Sequence, residues 1–125
     1  MERRTVLVVD DDPVIVKLLQ VNFEMEGYQV LTAGDGEEGL DLAQRDRPDV
    51  IILDVMMPKL DGLEVAKALK TDEGTRDIPV LLLSAKAQAS DVQAGQSLAD
   101  DYITKPFDPL ELLDRVASLI ADRHV

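Results

Sequence analysis

Three short runs of mainly apolar residues each end in charged side chains, and this pattern constrains the fold more than any other feature. The first two runs are rich in Val, Ile and Leu without polar alternation, which is typical of strands covered on both faces. Between the runs lie segments with helical periodicity, so we expect a parallel sheet with helices on both faces. The runs are 6–9, followed by Asp10, Asp11 and Asp12; 50–53, followed by Asp54; and 102–104, followed by Lys105.

The charged residues after these runs meet at one edge if the strands are neighbours in a single sheet. Open α/β sheets bind ligands at that edge, outside the carboxyl ends of the strands. Two like charges about 4 Å apart repel by roughly 4 kcal/mol at an effective dielectric constant of about 20. A hard divalent cation relieves this repulsion, and carboxylate oxygens suit Mg²⁺. We therefore expect a magnesium site that includes Asp10, Asp11 and Asp54.

Composition narrows the classes of function. The chain has 125 residues, 46% of them hydrophobic, and we expect residues 1–125 to form a single domain with its own core. The absence of cysteine excludes thiolate catalysis and Cys-ligated zinc, and the one histidine, His124, gives no basis for histidine catalysis. A formal net charge of -12 disfavours binding to DNA or to anionic membranes. No apolar run reaches the ~20 residues of a membrane span, so we expect a cytoplasmic protein.

The alternation of patterns predicts five strands and five helices. Asp12 and Asp108 each precede a proline, and this Asp-Pro pair is typical of a capped helix start. Asp61 or Gly62 is expected to open the third helix, and the fourth helix, within 89–97, has the weakest apolar face. The predicted strands are 5–9, 28–32, 50–54, 80–83 and 101–104, and the other helices are 13–26, 37–45, 62–69 and 109–120.

Apolar spacing also predicts helix faces. In the first helix one face is shared by Val14, Leu18 and Val21 or Asn22, and Ile15, Leu19 and Met25 lie beside it. The second helix is expected to bury Leu40 and Ala43. The last helix is expected to bury a stripe made of Leu110, Leu113, Val116, Ala117 and Ile120.

The motifs at the strand ends resemble those of one family. Each motif alone is weak, but in this order, each at the end of its own strand, they are specific. Over nearly all its length the chain is similar to receiver domains of two-component response regulators, in particular to single-domain chemotaxis regulators. The resemblance implies a flavodoxin-like, doubly wound (βα)5 sandwich with a five-stranded parallel sheet in the order 2-1-3-4-5. The motifs are Val-Val-Asp-Asp (8–11), Leu-Asp-Val-Met-Met-Pro (53–58), Asp61-Gly62, Ser84-Ala85 and Tyr-Ile-Thr-Lys-Pro-Phe (102–107).

The resemblance implies a phosphoryl acceptor and a metal site. Asp54 would be the phosphoacceptor, and its carboxylate would attack the phosphoryl group of a kinase phosphohistidine or of a small acyl phosphate. A carboxylate is a weak nucleophile, but the loose transition state of phosphoryl transfer lets positioning and charge neutralisation do most of the work. Asp11, Asp54 and the backbone carbonyl of Met56 would bind Mg²⁺ directly, and Asp10 would help through water.

The same resemblance implies a switch rather than an enzyme, with at most self-phosphorylation and self-dephosphorylation. Lys105 would pair with the pocket and then with a phosphoryl oxygen. Ser84 would move toward phosphorylated Asp54 and Tyr102 would turn inward, which changes the surface of the fourth helix, fifth strand and fifth helix. The implied partners are a sensor histidine kinase or phosphotransfer protein, and a downstream protein or fused output domain. Direct binding of nucleic acid or membrane is not expected, and a phosphorylation-dependent homodimer is left open.

Further features around the site follow from the same resemblance. The peptide bond before Pro106 is implied to be cis. We also hypothesise that Met56 and Lys86, each two residues after a site residue, set the lifetime of the phosphoryl group, with bulky Met56 shielding it from water. Leu98 stands where receivers usually carry a glycine, which leaves the end of the fourth helix and the output face open.

Alternative functions use some of the same residues. A phosphatase of the haloacid dehalogenase type also uses a strand-end aspartate and Mg²⁺, but it needs a second aspartate where Met56 stands. A pseudo-receiver that only scaffolds partners would not need the complete set of site residues that this chain carries, and this argues against that alternative. The run 34–39 fits the dinucleotide fingerprint G-x-G-x-x-G, but it follows the second strand and its acidic residues would repel a pyrophosphate, so we reject this interpretation.

Overall fold

The computed structural model describes residues 3–57, 60–85 and 99–123, in which strands alternate with helices. The predicted helix at 89–97, together with Lys86, Leu98 and His124, lies outside the described residues. None of the described helices is long and apolar enough to cross a membrane. The strands are β1 (Thr5–Val9), β2 (Gln29–Ala33), β3 (Val50–Asp54), β4 (Val80–Ala85) and β5 (Asp101–Lys105). The described helices are α1 (Pro13–Met25), α2 (Gly36–Asp46), α3 (Gly62–Thr71) and the C-terminal helix (Pro109–Arg123).

The five strands form one parallel sheet in the order β2-β1-β3-β4-β5. This order confirms the predicted flavodoxin-like fold. The strand order reverses at the β1–β3 pair, and open α/β sheets bind ligands at such a reversal. All five residues of β3 are buried, whereas the edge strand β5 buries only Ile103.

The ends of the strands agree with the predicted ends to within two residues. β1 and β3 have the predicted bounds, and β2 lies one residue later in the chain. β4 continues through Ser84 to Ala85, because these residues pair with Thr104 and Lys105 of β5. Two of the predicted site residues, Ser84 and Lys105, therefore belong to the sheet, whose hydrogen bonds fix their backbones.

Side-chain caps fix where the helices begin. The Asp12 carboxylate accepts a 2.9 Å hydrogen bond from the Val14 amide, and Asp108 accepts one of the same length from Leu110. Asp61 starts α3 with a reciprocal capping box. Each cap contributes about 1 kcal/mol to helix stability. The predicted Asp-Pro starts are confirmed, and the cap at Asp12 fixes the direction in which the chain leaves β1.

The sheet separates two apolar cores. Successive side chains of a strand point to opposite faces, so Leu7 and Val9 enter one core while Val6 and Val8 enter the other. α2 and α3 cover the first face, and α1 and the C-terminal helix cover the second. Burial of each Val, Leu or Ile contributes about 1.5–3 kcal/mol, so the central strands are firmly held on both sides.

The buried face of α1 is not the face shared by Val14, Leu18 and Val21. These three side chains are exposed, whereas Leu19 and Phe23 are fully buried. The helix carries apolar residues around most of its circumference, so periodicity alone did not distinguish the two faces. In α2, by contrast, the expected residues face the core: Ala43 is buried and Leu40 packs against the same cluster.

The buried stripe of the C-terminal helix consists of Leu112, Val116 and Ile120. Two of these were predicted, and Leu113 packs at the margin of the same core. The prediction was wrong for Leu110, which is 65% exposed, and for Ala117, which is also exposed. The sheet contacts a narrower stripe than the apolar spacing indicated, centred on the i, i+4, i+8 positions from Leu112.

Candidate functional site

The register of the sheet places two buried aspartates side by side. Val9 of β1 pairs with Leu53 of β3, so the residues that follow them, Asp10 and Asp54, lie at the same level. Asp10 is 1% exposed and Asp54 is 5% exposed. The backbone of Asp10 is also fixed, because its amide donates a 3.1 Å hydrogen bond to the Ala33 carbonyl of β2. Two carboxylates are thus held at the carboxyl edge of the sheet with little access to water.

Lys105 brings one positive charge to both carboxylates. Its Nζ lies 3.2 Å from Oδ2 of Asp10 and 3.3 Å from Oδ1 of Asp54. The side chain crosses from β5 over the end of β4 to reach β3 and β1. The Lys105–Pro106 peptide bond is cis, as the resemblance implied. The predicted meeting of a lysine with the aspartates from different strands is therefore present.

A third aspartate completes an acidic cluster. Single carboxylate oxygens of Asp10, Asp11 and Asp54 all lie within 4.8 Å of one another. Asp11 is exposed, so the cluster opens to solvent on one side. Asp12 serves instead as the cap of α1, and its amide donates a 2.9 Å hydrogen bond to Oδ1 of Asp10. Three acidic oxygens at this spacing, with one side open, fit a hard divalent cation that keeps part of its water shell.

Electrostatics in the site follow from burial and charge. Burial raises the pKa of the Asp54 carboxyl from its usual 3.8 to about 6, with the charge of Asp10 as a second cause. Lys105 and the Met56 amide act in the opposite direction, since both donate hydrogen bonds to this carboxylate. Burial alone would lower the pKa of Lys105, but the charges of Asp54 and Asp10 outweigh it and the pKa is raised. Lys105 is therefore firmly protonated, while Asp54 still lacks full compensation of its charge.

A close backbone approach supports the end of β3. The Gly62 amide donates a 2.8 Å hydrogen bond to the carbonyl of Val55, one residue after Asp54. A Cβ at position 62 would overlap the carbonyl oxygen of Asp54 and lie 2.7 Å from the Cα of Val55. Only glycine therefore lets α3 begin against the backbone that carries Asp54. The Asp61-Gly62 pair, expected mainly to start a helix, also determines where β3 ends.

Other predicted site residues lie around this cluster. Ser84 is buried in β4, one position beyond the residue that pairs with Asp54. The side chain of Met56 is 68% exposed, while its backbone amide donates to Asp54. Its neighbour Met57, by contrast, is buried. Tyr102 is 40% exposed on β5, so its ring does not point inward in this structure.

Sequence reasoning missed an ion-pair network on the same side as Tyr102. The Arg115 guanidinium donates to Oδ1 of Asp101 at 2.9 Å and to the carbonyl of Tyr102 at 3.3 Å. It also donates to Glu111 at 3.1 Å, one turn earlier in the C-terminal helix. The i, i+4 spacing of Glu111 and Arg115 was the available signal. The network ties the C-terminal helix to β5, the strand that carries Lys105.

Comparison with known proteins identifies the class that this fold and site define. The family model of the response regulator receiver domain matches residues 6–117, and the chain belongs to this family. It is therefore a phosphorylation-dependent signalling domain of the two-component type. Receiver domains bind Mg²⁺ at an acidic pocket, and this chain has the corresponding aspartate cluster.

The chain is also similar to named regulators. The DNA-binding dual master transcriptional regulator RpaA of Synechocystis is 51% identical over 116 residues, which cover 92% of this chain and 48% of that protein. The alkaline phosphatase synthesis transcriptional regulatory protein PhoP of Bacillus subtilis is 50% identical over 118 residues, which cover 94% and 48%. The chain thus spans about half the length of these relatives.

Solved structures agree with the fold. The receiver domain of the Francisella response regulator 1452 superposes with a TM-score of 0.88 at 38% identity, over 96% of this chain and 98% of that chain. The chemotaxis protein CheY4 of Vibrio cholerae gives a TM-score of 0.87 at 35% identity, over 94% and 99%. The family assignment favours the switch over the phosphatase considered above.

Proposed function

We propose that Asp54 accepts a phosphoryl group and that the domain signals through the resulting change in charge. The observation that carries this proposal is the contact of Lys105 with both Asp10 and Asp54 at a buried strand end. One lysine cannot compensate two buried acids fully, and an uncompensated buried charge destabilises a fold. The excess of negative charge suits a site that takes up a metal ion and then a phosphoryl group.

The transfer step needs an exposed path to an Asp54 oxygen and neutralisation of the phosphoryl charge. An Oδ atom of Asp54 forms a bond to phosphorus while the bond from phosphorus to the donor breaks. The donor is the imidazole nitrogen of a kinase phosphohistidine or the acyl oxygen of a small acyl phosphate. Lys105, already beside Oδ1 of Asp54, is placed to stabilise charge on a phosphoryl oxygen. Because the transfer modifies Asp54 itself, the domain converts no separate substrate. Its only reactions are its own phosphorylation and dephosphorylation.

The acidic cluster is suited to hold Mg²⁺ during this step. Asp11, Asp54 and the Met56 carbonyl would hold the ion directly, and Asp10 would act through water. Asp11 is the exposed member of the cluster, which leaves room for water and phosphoryl oxygens. When bound, the ion offsets the carboxylate charges and shields the incoming phosphoryl group from them.

Phosphorylation would be read out on the side of Tyr102. The phosphoryl group adds acceptors that the Ser84 hydroxyl can bind, and β4 carries this signal directly to β5 through the Ser84–Thr104 pair. Tyr102 would then turn from its exposed position toward the sheet. The affected face includes β5 and the C-terminal helix, where Arg115 bonds both Asp101 and Tyr102. The partner on this face would be an output domain or a second copy of the receiver.

The exposed apolar face of α1 is the best-supported docking face for the histidine kinase. α1 begins two residues after Asp11, so a partner bound to this helix lies next to the acidic cluster. Val14, Leu18 and Val21 lie along the helix at spacings of four and three residues and are exposed. Such spacing fits an amphipathic helix of a partner. The relatives are about twice as long as this chain, and a fused output domain is a prediction that rests on this similarity. A cytoplasmic location is a separate prediction.

Acetyl phosphate tests the proposed function without a kinase. The protein is incubated with acetyl phosphate and Mg²⁺, and its intact mass is recorded. One added phosphoryl group is expected in the wild type and in Asp41→Asn, whose residue is exposed on α2, but not in Asp54→Asn. Equal labelling of Asp54→Asn, or no labelling of any variant, would contradict the proposal.

A further inference from the structure

The three described methionines differ sharply in exposure. Met25 is 79% exposed at the end of α1, Met56 is 68% exposed, and Met57 is only 8% exposed. The chain has no cysteine, so thioethers are its oxidant-sensitive sulfur groups. Oxidation of methionine follows exposure, which makes Met25 and Met56 accessible and leaves Met57 protected. Only Met56 of these three also contacts the acceptor, since its amide bonds the Asp54 carboxylate.

The backbone of Met56 is held next to Asp54, so its side chain begins beside the site. The hydrogen bond from its amide fixes the Met56 backbone against Asp54, while the side chain extends into solvent. Methionine has three rotatable bonds and an apolar thioether, so it can fold over an adjacent group at little cost. An aspartyl phosphate at position 54 is such a group, and a thioether lying over it would hinder the water that hydrolyses it.

We propose that Met56 is an oxidation site that controls how long Asp54 stays phosphorylated, an inference that rests on the proposed function above. Hydrogen peroxide is the oxidant. The Met56 sulfur donates an electron pair to one peroxide oxygen, the O–O bond breaks, an S–O bond forms, and water leaves. The thioether becomes a sulfoxide, and peroxide is reduced to water.

The sulfoxide changes both properties on which the shielding depends. It is polar and strongly hydrated, so it no longer favours a position over the phosphoryl group. It also accepts hydrogen bonds and can therefore hold a water molecule close to phosphorus. Oxidised protein should lose its phosphoryl group at least about threefold faster than reduced protein. Methionine sulfoxide reductases should restore the slow rate, because sulfoxide formation is reversible.

The experiment compares the decay of the phosphorylated protein before and after oxidation. Protein is treated with hydrogen peroxide, peptide mass spectrometry locates the added oxygen, and acetyl phosphate with Mg²⁺ then labels Asp54. Decay is followed by intact mass after the acetyl phosphate is removed. Wild type and Met25→Leu should both decay faster after peroxide, whereas Met56→Leu should decay at one rate with or without it. Met56→Asn, which is polar without oxidation, should decay fast in both cases.

The other outcomes overturn the proposal. Equal decay of reduced and oxidised wild type, with the oxygen located on Met56, would exclude an effect on the phosphoryl group. An equal acceleration in Met56→Leu would assign the effect to a different residue. Oxidation of Met57 before Met56 would contradict the accessibility on which the proposal depends. If reduced protein forms no aspartyl phosphate at all, the proposed function fails and this inference fails with it.

Discussion

The ammonium nitrogen of Lys105 lies 3.3 Å from Oδ1 of Asp54, although β4 separates the two strands that carry these residues. The same nitrogen also lies 3.2 Å from Asp10, so one cation serves two buried carboxylates. Two carboxylates share one ammonium group, so the site keeps an excess of negative charge. This excess is the physical basis of the site, because it favours binding of a metal ion, which in turn allows a phosphoryl group to approach.

The first prediction concerns stability and pH. Burial and the charge of Asp10 raise the pKa of Asp54 to about 6, above its usual 3.8, so ionisation of Asp54 weakens the fold. The stability that this carboxyl contributes is full below about pH 4 and is lost as the pH rises through about 6. At about 1.4 kcal/mol for each pKa unit, Asp54→Asn should raise the free energy of unfolding at about pH 8 by roughly 1–3 kcal/mol.

Urea unfolding without metal, at about pH 4 and about pH 8, measures this effect. The gain should appear at the higher pH and largely disappear at the lower one, where Asp54 is already neutral. Asp41→Asn, on the exposed side of α2, should show no such pH-dependent gain. A loss of stability in Asp54→Asn at about pH 8 would mean that the charge of Asp54 is compensated in the fold.

The second prediction concerns competition between Lys105 and the metal. Removal of the ammonium leaves the aspartates without their cation, so Lys105→Gln should bind Mg²⁺ at least about threefold more tightly, a change of about 0.7 kcal/mol. Titration calorimetry measures the dissociation constant. Lys67→Gln is the matched control, because it removes the same charge from an exposed position on α3. Weaker binding in Lys105→Gln than in the control would show that the lysine does not oppose the metal.

The third prediction concerns metal removal. If Mg²⁺ binds only the folded protein, it should stabilise the fold by about 1.4 kcal/mol at ten times its dissociation constant. Thermal unfolding with Mg²⁺ and with EDTA tests this. Asp11→Asn should lose most of the stabilisation, because Asp11 is the exposed member of the cluster and has no described ion pair with a lysine or arginine. Coincident unfolding curves for the wild type would contradict a metal site at these aspartates.

The fourth prediction concerns the backbone contact between Gly62 and Asp54. A Cβ at position 62 would overlap the Asp54 carbonyl oxygen, so Gly62→Ala should destabilise the protein by about 1–3 kcal/mol. It should also slow labelling by acetyl phosphate, because the end of β3 must shift. Gly34→Ala is the control, since a Cβ there meets no atom within 4 Å. Chemical unfolding and labelling rates that match between the two variants would remove the proposed role of Gly62.

Much of the fold follows from the sequence because the strongest signals are local. The bounds of β1 and β3 were predicted from their apolar runs, and the Asp-Pro caps at Asp12 and Asp108 were predicted from two residues each. The strand order came from the resemblance, since alternation alone does not determine it. The meeting of Asp10, Asp54 and Lys105 then follows from parallel strands in that order.

The features that the sequence did not predict depend on tertiary contacts, which leave no trace in the periodicity of apolar residues. Val14 and Leu18 are as apolar as Leu19 and Phe23, and only the position of the sheet decides which pair is buried. In the C-terminal helix the same ambiguity led to Leu110 in place of Leu112. The overlap that forbids a Cβ at Gly62 involves the backbone of Asp54, which ends a strand eight residues earlier, and a single sequence carries no local signal for it.

Locating the phosphoryl group is the most direct test of the site. Protein labelled with acetyl phosphate and Mg²⁺ is treated with borohydride, which reduces an aspartyl phosphate to homoserine, and peptides are then sequenced by mass spectrometry. We predict homoserine at position 54 and unmodified aspartate at positions 10 and 11. Homoserine at position 10 or 11, or a phosphoryl group that survives on Ser84, would contradict the assignment of Asp54 as the acceptor.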